Sequence, residues 1–186
     1  MTKGYIEFFS SNPKYRRLWA ATVISLLGEW FNTIALFFLI LEYSGSEFLL
    51  GVLFAVRMLL FGLSQPINGL LADRLNRKGL MFWSNIAQIG LALSFILVDG
   101  PEDMWWLITV SGLMMLLHGV YVTAERAAVP NIVAEEDLIT ANAIGSASWS
   151  TALCTGAMLG GVVVSEYGTD AAVSYTHLTL PTTSFV

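Results

Sequence analysis

Long apolar runs separated by short charged interruptions organise this chain. The runs fall near residues 18–41, 48–71, 79–98, 104–124 and 138–165. Each is near or above the roughly 20 residues a helix needs to cross a hydrocarbon core. The interruptions are brief: 42–47, 73–78, 99–103, 125–137 and a turn around 166–170. The pattern predicts five complete membrane helices joined up and down, an all-α polytopic bundle embedded in a lipid bilayer.

Composition agrees with the pattern: of 186 residues, 55% are hydrophobic and 12% charged, six are Trp, and mean hydropathy is +0.67. A soluble core does not require this much apolar surface. The net charge of −5 comes from acidic residues in short loops. It defines no face for a partner, and no basic stripe suggests nucleic acid. Cys154 is the only cysteine, so no intrachain disulfide forms, and nothing around it is spaced as a metal ligand set. It reads as a small packing residue. No metal, cofactor or nucleophile–base set is expected, and an enzyme is not indicated.

Residues 1–17 are too polar for the core of a cleaved signal peptide, so the first helix reads as an uncleaved anchor. Lys3, Lys14, Arg16, Arg17, Arg74, Arg77, Lys78 and Arg126 fall on one side of the predicted bundle, and the opposite loops contain no Lys or Arg. The basic side faces the cytoplasm, which places the N-terminus there. Trp105, Trp106, Tyr43 and Tyr167 at outer helix ends suit an interfacial aromatic belt, or plain packing.

Two charges lie inside the apolar runs. Glu29 is near the centre of the first helix and Arg57 is within the second. Counted from the outer helix ends at 1.5 Å per residue, their depths differ by only about 4–5 Å. Isolated charges at such depth cost at least about 2.5–3.5 kcal/mol each, so the two should pair or line a watered cavity. A proton or substrate site is one reading, and a permanent ion pair holding two helices in register is the other. Asn32 and Thr33 follow Glu29 by three and four residues, so one helix face carries a carboxylate, an amide and a hydroxyl. Asn85 and Gln88 form a polar stripe on the third helix. His118 and Tyr121 stand three apart on the fourth, where His118 is either a proton relay or a hydrogen-bonded packing residue.

The hairpin from Gly69 to Lys78, Gly-Leu-Leu-Ala-Asp-Arg-Leu-Asn-Arg-Lys, resembles the Gly-x-x-x-Asp-Arg-x-Gly-Arg-Lys signature of the major facilitator superfamily between its second and third helices. Asn76 replaces the usual Gly, a residue that tolerates the positive φ of a tight turn. The resemblance implies the N-terminal half of a twelve-helix fold, with the gating motif at Gly69, Asp73, Arg74, Arg77 and Lys78. In the family the Asp engages a helix of the other half and favours the outward-facing state, a role the resemblance assigns to Asp73.

The fifth helix has a small-residue face, including Ala143, Ala152, Gly156, Gly160 and Gly161, suited to close packing. Gly156 to Gly161 is similar to the Gly-Pro-x-x-Gly-Gly element of superfamily antiporters, with Ala157 in place of Pro. Tyr15 to Trp19, Ser25 to Trp30, Pro130 to Val133 and Ala141 to Ala143 resemble the bacterial branch of enterobactin-exporter-like and macrolide-efflux-like permeases. That implies proton-driven export of a small amphipathic molecule across the bacterial inner membrane by alternating access; the intramembrane polar residues Glu29, Asn32, Arg57, His118 and Tyr121 are the proton or substrate candidates read from their positions. Its partners would be that small-molecule substrate, protons, the lipid bilayer and the missing C-terminal half.

From Val173 to Thr182 the chain reads Val-Ser-Tyr-Thr-His-Leu-Thr-Leu-Pro-Thr, which looks like the in-frame translation of a transposase adapter used for DNA sequencing libraries. The expectation is therefore a truncated transporter half over 1–172 and a non-native tail over 173–186, with a sixth helix barely begun after Gly168. On this basis a transport-inactive fragment or partner-binding subunit stands as an alternative, as does an uptake facilitator without proton coupling.

Overall fold

The computed structural model describes residues 4–179, with side chains described for 4–163, 165 and 166. It contains helices α1 (Tyr5–Ser11), α2 (Pro13–Ser44), α3 (Glu47–Arg74), α4 (Arg77–Leu93), α5 (Met104–Ala128) and α6 (Leu138–Thr179), joined by short 3-10 turns. Among the described residues four segments are long and apolar enough to cross a membrane: Pro13–Ser44, Glu47–Arg74, Arg77–Leu97 and Pro101–Asn131. The fifth expected run forms the upstream part of α6. Helices are the natural form for such runs, because within lipid each backbone amide and carbonyl must find its partner inside the segment.

The helices reverse direction in turn, yet the closest packing, except between α4 and α5, joins helices that are not neighbours in sequence. α2 packs chiefly on α6, and α3 and α4 pack on α5. Within each of the pairs α2–α6 and α3–α5 the two helices run parallel: Tyr15 and Trp19 meet Ala141 and Ser148, while Arg57 and Gln65 meet Ser111 and Thr123. Glycines permit the close approach. A Cβ on Gly156 would lie 2.6 Å from Trp30 Cβ, and one on Gly160 would lie 3.0 Å from Ile34 Cβ. On α5, a Cβ at Gly112 would meet Leu60 Cδ1 at 2.7 Å and one at Gly119 would meet Ser64 Oγ at 2.9 Å. Gly161, expected to share the packing face, has nothing within 4 Å of its Cβ position.

Several local expectations change. α6 runs unbroken through 166–170, so the turn expected there does not form. The 173–186 tail continues the helix as far as Thr179, while its remaining residues, 180–186, and Lys3 lie outside the described residues, as does the side chain of Tyr167. Asn76 does not adopt a left-handed turn: with φ −66° it caps α4, its Oδ1 accepting from the Gly79 amide at 3.2 Å. The left-handed position is instead Gly45 (φ 60°), which closes α2, followed by Ser46 capping α3. Cys154 is exposed rather than packed. Glu125, expected in a loop, belongs to α5, which extends to Ala128.

The apolar interior is divided. One cluster, including Phe31, Leu36, Ile40, Leu53, Phe95 and Leu107, fills the end near the α2–α3 turn. Two others occupy the opposite end: Phe8, Tyr15, Val133 and Ile144 in one, and Leu18, Met81, Tyr121 and Ala124 in the other. Between these ends α2, α3 and α5 bring a band of polar side chains together.

Candidate functional site

Arg57 organises the band. On α3 the buried residues Leu53, Arg57, Ser64, Asn68 and Ala72 share one face, which places the guanidinium toward α2 and α5. The residue is 4% exposed. Its Nη1 donates to Ser111 Oγ and its Nη2 to Thr33 Oγ1, both at 2.9 Å, with Met115 Sδ 3.8 Å away. Glu29 Oε1 lies 4.0 Å from Arg57 Nη2, and Glu29 Oε2 lies 3.1 Å from His118 Nε2. Glu29 thus stands between a guanidinium from α3 and an imidazole from α5. Arg57 remains a donor at any ordinary pH, whereas a carboxylate and an imidazole can pass a proton between them.

Glu29, Thr33, Arg57 and His118 meet at one point. Asn32 is 5% exposed beside them on α2, and its Oδ1 accepts no hydrogen bond from a described residue. Asn85 and Gln88 are also buried, with Gln88 Nε2 donating toward Asn85 Oδ1 at 3.5 Å within α4. Tyr121 is separate from His118: its hydroxyl is 3.3 Å from Thr22 Oγ1, which donates to Glu125 Oε1 at 3.1 Å. Ser111 and Met115 escaped the sequence reading. Spaced four residues apart, with His118 three residues beyond Met115, all three fall on the α5 face that meets Arg57.

At the basic end, Asp73, Asn76 and Arg77 line a cavity of about 360 Å³ together with Ala72, Leu75, Ala128, Asn131 and Ile132. Arg77 Nε donates to the Ala72 carbonyl at 3.3 Å across the hairpin. Arg74 ends α3, and both it and Lys78 are exposed. Gly69 and Asp73, one turn apart on α3, share a face on which a Cβ at Gly69 would meet nothing within 4 Å.

Residues 18–178 match the Major Facilitator Superfamily profile, and the chain belongs to that family. It is a multi-pass, all-helical membrane protein with half of the superfamily fold. It is similar to an uncharacterized MFS-type transporter, YfiS, of Bacillus subtilis (strain 168), with 27% identity over 163 residues, 86% of this chain and 38% of the relative. It is also similar to macrolide efflux protein A of Streptococcus pyogenes, with 26% identity over 127 residues, 67% of this chain and 31% of that protein. The chain therefore spans only about a third of the length of these relatives.

Proposed function

We propose that this chain supplies the N-terminal half of a secondary transporter that exports a small amphipathic molecule by alternating access in exchange for protons. The observation that carries the reading is Glu29, held at mid-depth between Arg57 and His118. Charge placed there is costly and belongs with transport pathways or relays. Arg57 fixes the carboxylate and offers a permanent positive charge, and His118 gives the proton a second resting place. Asn32, with its buried unbonded Oδ1, offers a substrate an acceptor at the same level. Export is favoured by the similarity to macrolide efflux protein A. The basic hairpin and N-terminal segment would face the cytoplasm of a bacterial inner membrane. There Asp73, beside the open face at Gly69, would meet a helix of the second half.

The test is Glu29→Gln in the transporter completed by its second half, with export assayed as accumulation of substrate inside everted vesicles. Loss of pH-dependent efflux is expected. Efflux that keeps its full rate and pH profile, or persists after the proton gradient is collapsed, would sink proton coupling at Glu29. A second reading, that the chain alone is transport-inactive and associates with another half, is favoured by the outward face of α3, where Phe48, Leu59, Leu63 and Ile67 are each at least 60% exposed.

A further inference from the structure

Glu125 is a second carboxylate drawn into the bundle that the reading above leaves unused. It lies in the last turns of α5, half-buried, and its Oε1 accepts from Thr22 Oγ1 at 3.1 Å. The Thr22 hydroxyl is in turn 3.3 Å from that of Tyr121, a residue only 4% exposed. Ser25 Oγ, on the same face of α2, is buried with no hydrogen-bond partner among the described residues. On α2, Thr22, Ser25 and Glu29 are spaced three and four residues apart. On α5, His118, Tyr121 and Glu125 have the same spacing. Such spacing puts each trio on one helix face. Because α2 and α5 run in opposite directions, the ends of the trios match, Glu29 with His118 and Thr22 with Glu125, while Tyr121 reaches Thr22 and Ser25 stands between the two ends on α2. Seven residues on each helix separate the two carboxylates by about 10 Å, and hydroxyls occupy the interval.

We infer that Thr22, Ser25, Tyr121 and Glu125 form a proton relay along the α2–α5 seam, with Glu125 as its loading station at the basic end of the bundle and the Glu29–His118 pair as its terminus. A proton leaves the Glu125 carboxyl for the Thr22 oxygen as the Thr22 hydroxyl proton passes to the Tyr121 oxygen. Each hydroxyl accepts one proton and releases one, so it ends unchanged. The net event moves one proton from Glu125 to Glu29 or His118. The charged and titratable groups facing Glu125 are Tyr121 and Arg126 of α5 and Tyr15 of α2, and those facing Glu29 are Arg57 and His118. The inference rests on the proposed role of Glu29 and adds the route by which its proton arrives.

The test uses the chain in lipid nanodiscs, following the carboxyl C=O infrared band after a rapid pH jump, with Glu29→Gln and Glu125→Gln assigning the two carboxyls. Tyr121→Phe and Thr22→Val each remove one hydroxyl and preserve shape. Both, and Glu125→Gln, are expected to slow protonation of Glu29 about a hundredfold, the lower end of what a positioned proton carrier contributes, while Thr22→Ser keeps the original rate. Unchanged relaxation in every variant would overturn the relay and leave the role of Glu29 standing. If Glu29 takes up no proton at any pH in a chain whose circular dichroism shows it folded, both readings fall together. Slowing in Thr22→Ser equal to that in Thr22→Val would mean a packing effect and would also overturn the relay.

Discussion

Arg57 is the side chain on which the interior depends most. Its hydrogen bonds reach α2 and α5 at once, and removing it would leave Glu29 with only His118 as a partner among the described residues. Breaking a buried pair from one side is strongly destabilising, whereas exchanging both partners for apolar residues is often neutral. Arg57→Ala should therefore cost about 3 kcal/mol in denaturant unfolding from bicelles. The double variant Glu29→Leu with Arg57→Met should recover most of that stability. If the double variant, in the completed transporter, regained transport along with stability, the pair would serve helix register alone. The depths of Glu29 and Arg57 made their pairing legible from the sequence, because both could be counted from helix ends. His118 was ambiguous, since one helix does not show what faces it. Glu125 was lost to a loop because a charge next to Arg126 looks like a helix end, whereas α5 continues to Ala128 and sets Glu125 against Thr22.

Helices were legible as elements because each apolar run is long and is bounded by charge. Which helices touch was not, because the parallel pairs α2–α6 and α3–α5 join segments far apart in sequence. The glycines carried half of that information. Gly156 and Gly160 were recognised as a packing face. Gly112 and Gly119, seven apart on α5, serve the same purpose against α3 without the familiar short spacing. Substitution separates packing glycines from incidental ones. Gly156→Ala drives a methyl into Trp30 and should lower stability by about 1–3 kcal/mol, as overpacking does. Gly161→Ala meets open space and should be neutral or stabilising by up to about 1 kcal/mol, because alanine favours the helix. Thermal unfolding of the two variants in the same detergent checks this, and equal losses would contradict the assigned α2–α6 contact.

At the scale of the whole molecule, the two ends of the bundle differ in charge and in construction. The end near Gly45 and Ser46 closes with a tight turn, and the opposite end collects the basic hairpin, the α5–α6 connection and the N-terminal helix. In a Cys154→Ser background, a cysteine at Ser46 should react with an impermeant maleimide added outside intact cells, and one at Leu75 should react only after lysis. The reverse pattern would overturn the orientation read from the basic residues. The N-terminal helix has a further consequence. Phe8 is fully buried against residues from the beginning of α6, Asn12 donates to Asp137 at 3.2 Å across 125 positions of chain, and Tyr15 bonds the Ala141 carbonyl. None of these partners exists when α1 leaves the ribosome. At roughly 5–20 residues per second, α1 waits about 6–25 s for its seat to be synthesised. Throughout that interval Phe8 and its neighbours are free for a targeting factor or the insertion machinery to grip, and arrival of α6 ends their availability.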